Sequence, residues 1–388
     1  MRHGQVIIGA NYGDEGKGLM TDFFASQRHD DCVVVRFNGG AQAGHTVVAP
    51  DGRRHIYSHF GSGTFCGCAT MLSKFFIVNP LLFVREREEL LAQGLKPRLL
   101  VDPDAVVTTP IDMFVNEMAE WRRGAKKHGS CGAGINETIT RNLRAQKYSL
   151  RVRDLLDERR LCQKLELLAG EWLRQRLQEH GEIALTDEAK NFVGKLDLIV
   201  DQFLCDVNVF LQNVSLAVEC PSYSHVIFEG AQGLMLDEDR IDQWPHVTRS
   251  RTGLTNVLHL MPQFQLQELS VTYVTRTYLT RHGAGPLIGE CDWQFSDRTN
   301  LPNRFQDQLR FAPLDWTAVQ KSVEMDFNRA RLSFAHLSGH LALTCADQLA
   351  PDKVPQFMPV SYISFGPTRE DVQAQHCLTS PRALAAAR

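Results

Sequence analysis

Charge of one sign is scarce in this 388-residue chain. Its formal net charge is only -3, with acidic and basic residues interspersed. That removes the electrostatic footprint of a nucleic-acid or membrane-surface binder. Long apolar runs are missing too: no stretch reaches 18 residues, so no membrane-spanning helix is expected. The opening MRHG leads straight into a strand-like run without a signal-peptide core, and the expectation is a soluble, cytoplasmic protein. Of ten cysteines only Cys66 and Cys68 lie close together, and there is neither a C-x-x-C pair nor a Cys/His cluster with zinc spacing. Reduced, mostly buried thiols are expected, not a disulfide framework or a structural zinc. There is also no internal repeat, no long Pro/Gly/Ser linker and no sharp change of composition. One large domain over 1–379 follows, with a flexible tail at 380–388.

What is present is an alternation of strand-like and helical patterns. The runs QVIIGA, DCVVVRFNGG, PRLLVDP, HVIFEGAQG, LSVTYVTRTY and HLALTCADQL are short and apolar, and several end in glycine or polar residues, as strands do when their carboxyl ends border a crevice. Between them, Leu161, Leu165, Leu168 and Trp172 follow the spacing of one buried helix face, with Gly181 as its stop. The stretch NFVGKLDLIVDQFLCDVNVFLQNV is a second helical pattern, leading toward a strand at Val226. The fold class predicted is α/β: a mixed, mainly parallel central sheet flanked by helices, with a phosphate-loop-like nucleotide site.

The chemistry starts at NYGDEGKGLM. A strand, the glycine-rich GDEGKG and a helix bring backbone N–H groups and a helix N-terminus to one point, which is an anion site by geometry. Lys17 adds a point charge. The Walker pattern is only half met, since Asn11 stands at its first glycine and Gly18 at its hydroxyl. Asp14 is thereby free to hold magnesium or to take a proton beside the phosphates. NGGAQAGHT puts glycines and His45 after a second strand, where a histidine can stabilise charge on a transferring phosphoryl group. HGSCGAGIN, FEGAQG and TRHGAGP have the same character. Each alone is an ordinary turn; five such loops at strand ends argue for one crevice.

Taken in order, GDEGKG, GGAQAGHT, SGT, FEGAQG, VTRSRTGLTNV, TRHGAGP and ISFGPTRE resemble the adenylosuccinate synthetase family over nearly all of residues 5–372. The resemblance implies an NTP-dependent ligase that phosphorylates the 6-oxo group of a purine nucleotide and joins L-aspartate at C6. It implies Asp14 as the base at purine N1 and His45 as donor to the phosphoryl group and the 6-oxyanion. Mg2+ would lie on Asp14 and the Gly44 carbonyl. Gly13, Glu15, Gly16, Lys17, Gly18 and Thr46 would hold the triphosphate, with Asp347, Gly366 and Pro367 at its base. Gln42, Ser130, Cys131, Gln232, Thr248, Arg281 and Gly283 would line the purine monophosphate. A homodimer is implied, with Arg144 or Lys147 contributed in trans.

Two departures bear on specificity. The family's arginine-rich aspartate loop is replaced by TNLPNRFQDQLR, leaving Thr299, Asn300, Arg304 and Arg310 to hold aspartate through planar bidentate pairing. The family's guanine-reading TKLD stands here as TCAD, so the donor is GTP or ATP/dATP. This combination resembles the family's phage branch, which joins aspartate to dGMP on the way to 2-aminoadenine; the compartment would then be the host cytoplasm. Well-known members of that branch carry serine where Asp14 stands, which favours IMP, the conventional acceptor. The reading places dGMP ahead of IMP. A nucleotide-binding module or a non-catalytic homologue remains the alternative from outside enzymology.

Overall fold

All six strand-like runs join one ten-stranded sheet in the computed structural model, which describes residues 2–28, 31–124, 132–181, 186–219, 223–295, 309–334, 336–351 and 355–378. In chain order its strands are β1 (His3–Gly9), β2 (Cys32–Arg36), β3 (Ala69–Leu72), β4 (Leu99–Val101), β5 (Ser215–Leu216), β6 (His225–Gly233), β7 (Glu268–Arg276), β8 (Leu337–Thr344), β9 (Val360–Ser364) and β10 (Val372–Leu378). Their spatial order is β10-β9-β8-β7-β1-β6-β2-β3-β4-β5. Among the described residues every pairing in this sheet is parallel except β9 with β10.

Central parallel strands are covered on both faces and so read as continuous apolar runs. Side-chain alternation then sorts each strand between two layers. Val6, Ile8, Val33, Val35, Phe228, Val271, Leu341 and Leu343 join Val257, Leu260 and Phe264 of the helix Thr255–Phe264 and Val319 and Val323 of the helix Trp316–Arg331. Ile7, Val34, Ile227, Val274 and Ala342 instead meet Leu19, Met20 and Ala25 of α1 (Lys17–Ser26). The predicted stripe Leu161, Leu165, Leu168 and Trp172 is buried throughout, and its helix ends at Glu179, two residues before Gly181 with φ 72°.

Two expectations need correction. Residues 191–214 are not one helix: Asp187–Gly194 ends at Lys195, whose N–H donates back to Phe192 and Val193 carbonyls, and Leu196–Gln212 starts afresh. Among the described residues the thiols form no disulfide but are not mostly buried: Cys32 and Cys68 are, whereas Cys66, Cys162, Cys291 and Cys345 are half-buried and Cys205 is exposed. Cys205 lies off the buried stripe Phe203, Val207 and Phe210 of its helix. No helix of the described residues is long and apolar enough to cross a membrane.

Parallel pairing turns the carboxyl ends of β1, β2, β6, β7 and β8 to the same edge of the sheet, where α/β sheets bind their ligands. GDEGKG, NGGAQAGHT and TCAD follow three of them, FEGAQG ends β6, and TRHGAGP follows the short strand Tyr278–Arg281 just after β7; HGSCGAGIN, expected at a strand end, instead falls between the helices Pro110–Arg123 and Ile135–Arg144.

Candidate active site

Between β1 and α1 the backbone turns through left-handed residues: Gly13 at φ 97°, Asp14 at φ 60° and Gly16 at φ 94°. Glu15 is the template of this turn. Its Oε1 accepts from the N–H groups of Asn11 (3.0 Å) and Gly13 (2.8 Å), and its Oε2 lies 3.0 Å from Lys17 Nζ, with both side chains buried. Neighbouring strands clamp the loop from outside. Asn11 Nδ2 donates to Thr275 Oγ1 (2.8 Å), Arg276 Nε donates to the Asp14 carbonyl (2.6 Å) and Thr344 Oγ1 donates to the Glu15 carbonyl (2.7 Å). The Asp14 carboxylate is 26% exposed, with Oδ2 3.9 Å from His282 Nδ1. Burial raises its pKa above the ordinary value, against the pull of Arg276, Lys17 and His282.

The second glycine loop is stitched to β6. Asn38 Nδ2 donates to the Ala231 carbonyl (3.0 Å) while its Oδ1 accepts from Ala231 N–H (2.7 Å), and Gly39 N–H donates to Ser250 Oγ (3.1 Å). The loop ends in a hairpin, His45–Val48 against Arg54–Tyr57, that lies on α1. Gly18 makes that approach possible, since a Cβ there would lie 2.9 Å from the Thr46 carbonyl oxygen and 3.2 Å from His45 Cβ. The position that carries a hydroxyl in a Walker loop is here the contact surface for the strand of His45 and Thr46.

His45 Nδ1 lies 2.8 Å from Oε1 of Glu229, a carboxylate on β6 that is entirely buried. Ser62 Oγ donates to the same oxygen, Ser62 N–H donates to Oε2 (3.1 Å), and Arg36 Nε is 3.9 Å from Oε2. Burial works against the Glu229 charge, but His45, Arg36 and the Ser62 hydroxyl outweigh it and hold the pKa at about 2. Burial lowers the pKa of His45 despite Glu229, with Arg36 and Lys17 adding to the effect.

Around this pair lie further residues expected from the sequence. Gln42 Oε1 is buried without a hydrogen-bond partner among the described residues, as suits an acceptor awaiting a ligand donor. Gln232, left-handed at φ 64°, sets its Oε1 3.7 Å from where a Cβ on Gly13 would be. Thr248 N–H donates to the Leu236 carbonyl (2.8 Å), in the same segment as Ser250. Asp347 and Pro367 are exposed and Gly366 half-buried in the loops after β8 and β9.

The arginines are differently employed. Arg281 is buried over the Tyr12 ring (4.4 Å), donating to Gln243 Oε1, the Pro286 carbonyl and the His246 carbonyl. Arg310 donates to Glu290 and to the carbonyls of Gly283 and Gly285. Both shape the 283–286 turn. Arg144 and Lys147 are exposed and pair with Glu179 and Glu171 of their own chain. Ser130, Cys131, Thr299, Asn300 and Arg304 lie outside the described residues.

The family model described as adenylosuccinate synthetase matches residues 6–313, well over half of the chain. The chain belongs to the adenylosuccinate synthetase family. It is therefore a ligase of the type that forms a C–N bond with aspartate. An adenylosuccinate synthetase of Clostridium beijerinckii is 31% identical over 307 residues, 74% of this chain and 67% of the relative. One from Anaeromyxobacter sp. strain K is 34% identical over 303 residues, 76% and 66% of the two chains. The chain thus spans about two thirds of the length of these relatives. Among solved structures, the fully ligated adenylosuccinate synthetase of Plasmodium falciparum aligns with TM-score 0.65 at 19% identity, covering 96% of this chain and 99% of that one. A cyanophage S-2L succinoaminodeoxyadenylate synthetase bound to dGMP and dATP aligns with TM-score 0.62 at 16% identity, covering 100% and 99%. Both share its fold.

Within this adenylosuccinate synthetase fold, sequence reasoning missed the residues that hold the others. Glu229, Ser62, Arg36, Arg276, Thr344 and His282 were not singled out. Glu229, Ser62 and His282 do fall inside the motifs FEGAQG, SGT and TRHGAGP, and a carboxylate at the end of an otherwise apolar strand was the available signal.

Proposed function

We propose that this chain consumes a nucleoside triphosphate to join L-aspartate to C6 of a purine nucleotide. The observation that carries this reading is the partly exposed Asp14 carboxylate, set on a left-handed backbone in a loop that two strands, β7 and β8, brace with three hydrogen bonds. In the first step Asp14 takes the N1 proton and the 6-oxygen attacks the γ-phosphorus, releasing the diphosphate. In the second, the aspartate amine adds at C6 and phosphate leaves with the former 6-oxygen.

His45, with Nδ1 turned to Glu229, has Nε2 left for the transferring phosphoryl group. Lys17 and the N–H groups of Glu15, Gly16 and Gly18 hold the donor phosphates; an ammonium has three donors and can keep Glu15 while gaining an oxygen. The hard oxygens of Asp14 and the exposed Gly44 fit Mg2+, leaving its other positions to phosphate and water. Bound there, Mg2+ supplies charge neutralisation on the donor phosphates. Positioning and electrostatics account for most of such catalysis.

The acceptor we propose is dGMP, giving N6-succino-2-amino-2'-deoxyadenylate, with GTP, ATP or dATP as donor. The replaced 299–310 segment, the TCAD variant and the shared fold of a cyanophage enzyme that binds dGMP and dATP support it. The carboxylate at Asp14 favours IMP as a second reading. Purified protein incubated with IMP, GMP or dGMP, plus aspartate and each triphosphate, decides by product mass. Succinylated dGMP is the expected product; succinylated IMP alone assigns the conventional reaction. Absence of triphosphate loss with every pair leaves only nucleotide binding.

A further inference from the structure

We propose that Glu229 is a positioning residue for His45, holding the imidazole so that Nε2 meets the transferring phosphoryl group; this rests on the ligase reading above. Glu229 has no exposed surface and cannot touch substrate itself. Its place on β6, in the middle of the sheet, makes it one of the most rigid points from which a loop side chain can be steered. Its carboxylate is held independently of His45 by two donations from Ser62.

An ordinary core ion pair with Arg36 is the competing explanation, and the distances speak against it. Arg36 Nε is 3.9 Å away, its Nη1 is spent on the Phe60 carbonyl (3.2 Å), and its Nε and Nη2 have no hydrogen-bond partner among the described residues. His45 Nδ1 is the nearer group, at 2.8 Å, though off the angle of a hydrogen bond. With a carboxylate facing it, Nδ1 keeps its proton in both charge states of the ring, so the orientation is fixed and Nε2 is the nitrogen that bears the second proton when it donates to the phosphoryl group. Ser62, from the SGT segment, completes a chain Ser62–Glu229–His45 that joins three glycine-rich motifs in one device.

The test is a double-mutant cycle between Glu229→Gln and His45→Ala, with kcat and KM measured for each substrate. Glu229→Gln is expected to lower kcat by about 10- to 100-fold with each KM within about threefold. In the His45→Ala background the same change should cost almost nothing, because the group it positions is gone. Glu229→Asp should recover part of the loss. An additive loss in the His45→Ala background, or a loss confined to KM, overturns the proposal. If Glu229→Gln does not fold, Ser62→Ala replaces it in the cycle, with the same non-additivity expected at a smaller, several-fold loss. Nitrogen-15 NMR of His45 in ligand-free protein separates this proposal from the reaction. A protonated Nδ1 lost in Glu229→Gln supports it even if no purine is turned over, and an Nε2–H tautomer in the wild type overturns it even if the ligase reading holds.

Discussion

At the scale of the residue, the site depends on what a left-handed aspartate can do. Asp14→Ala is expected to abolish product formation while triphosphate affinity stays within about tenfold, since the base is lost and the loop amides are kept. Isothermal titration beside a turnover assay checks both halves. His45→Ala should lower kcat by about 10²-fold if it stabilises developing charge; an effect on KM alone would assign it to binding. Asp14, Lys17 and His45 were legible in the sequence because their chemistry is local, each lying within a glycine loop that follows a strand. Glu229 was not, because what gives it meaning is His45 on another element, and a pair of that kind exists only once β6 and the hairpin meet. Arg281 and Arg310 show the same limit from the other side. Arg281, expected along the purine nucleotide, and Arg310, expected to hold aspartate, donate to carbonyls of the 283–286 turn and set its shape.

At the scale of elements, the contact of α1 with the His45 hairpin is as consequential as any side chain. Gly18→Ser would supply the hydroxyl of the Walker pattern, yet its Cβ would press on Thr46 and His45. A fall in kcat of about 10²-fold, with the fold intact by circular dichroism, is expected from a displacement on the order of 1 Å. The helix Pro80–Ala92 steadies the segment before Ser62 through Glu86, whose carboxylate accepts from the N–H groups of Ser58 (2.9 Å), His59 (2.6 Å) and Phe60 (3.3 Å). Burial opposes that charge, but His55 and His59 outweigh it and hold the pKa at about 2. A depressed carboxyl pKa adds stability above the ordinary carboxylate range, and that stability is lost as pH falls toward 2. Thermal melts should show Glu86→Gln starting lower at pH 7, by about 1 to 3 kcal/mol, and losing less than the wild type between pH 5 and pH 3. Six of the ten strands, the central β1, β2, β6, β7 and β8 together with β4, were legible because buried parallel strands are apolar without interruption; β3, β5, β9 and β10 were not read as strands. The break at Lys195 was not, since a helical period runs through Gly194 undisturbed and only the cap hydrogen bonds reveal the stop.

For the whole molecule, the implied dimer leads to a mixing experiment. Arg144 is the exposed last residue of its helix and pairs with Glu179 of its own chain. If it crosses to a second copy, Asp14→Ala and Arg144→Leu are each inactive alone, and refolding them together should restore about a quarter of wild-type activity, as expected for random pairing in a twofold dimer. No recovery would exclude Arg144 as the residue in trans. The sheet has a further bearing on how the protein is made. Thr275 and Arg276 of β7 and Thr344 of β8 brace a turn near the start of the chain, with Thr344 and Glu15 separated by 329 positions. That turn is thus synthesised long before the strands that brace it. Nascent chains that stop short of β8 would fail to retain a triphosphate, however much of the early sheet they had built.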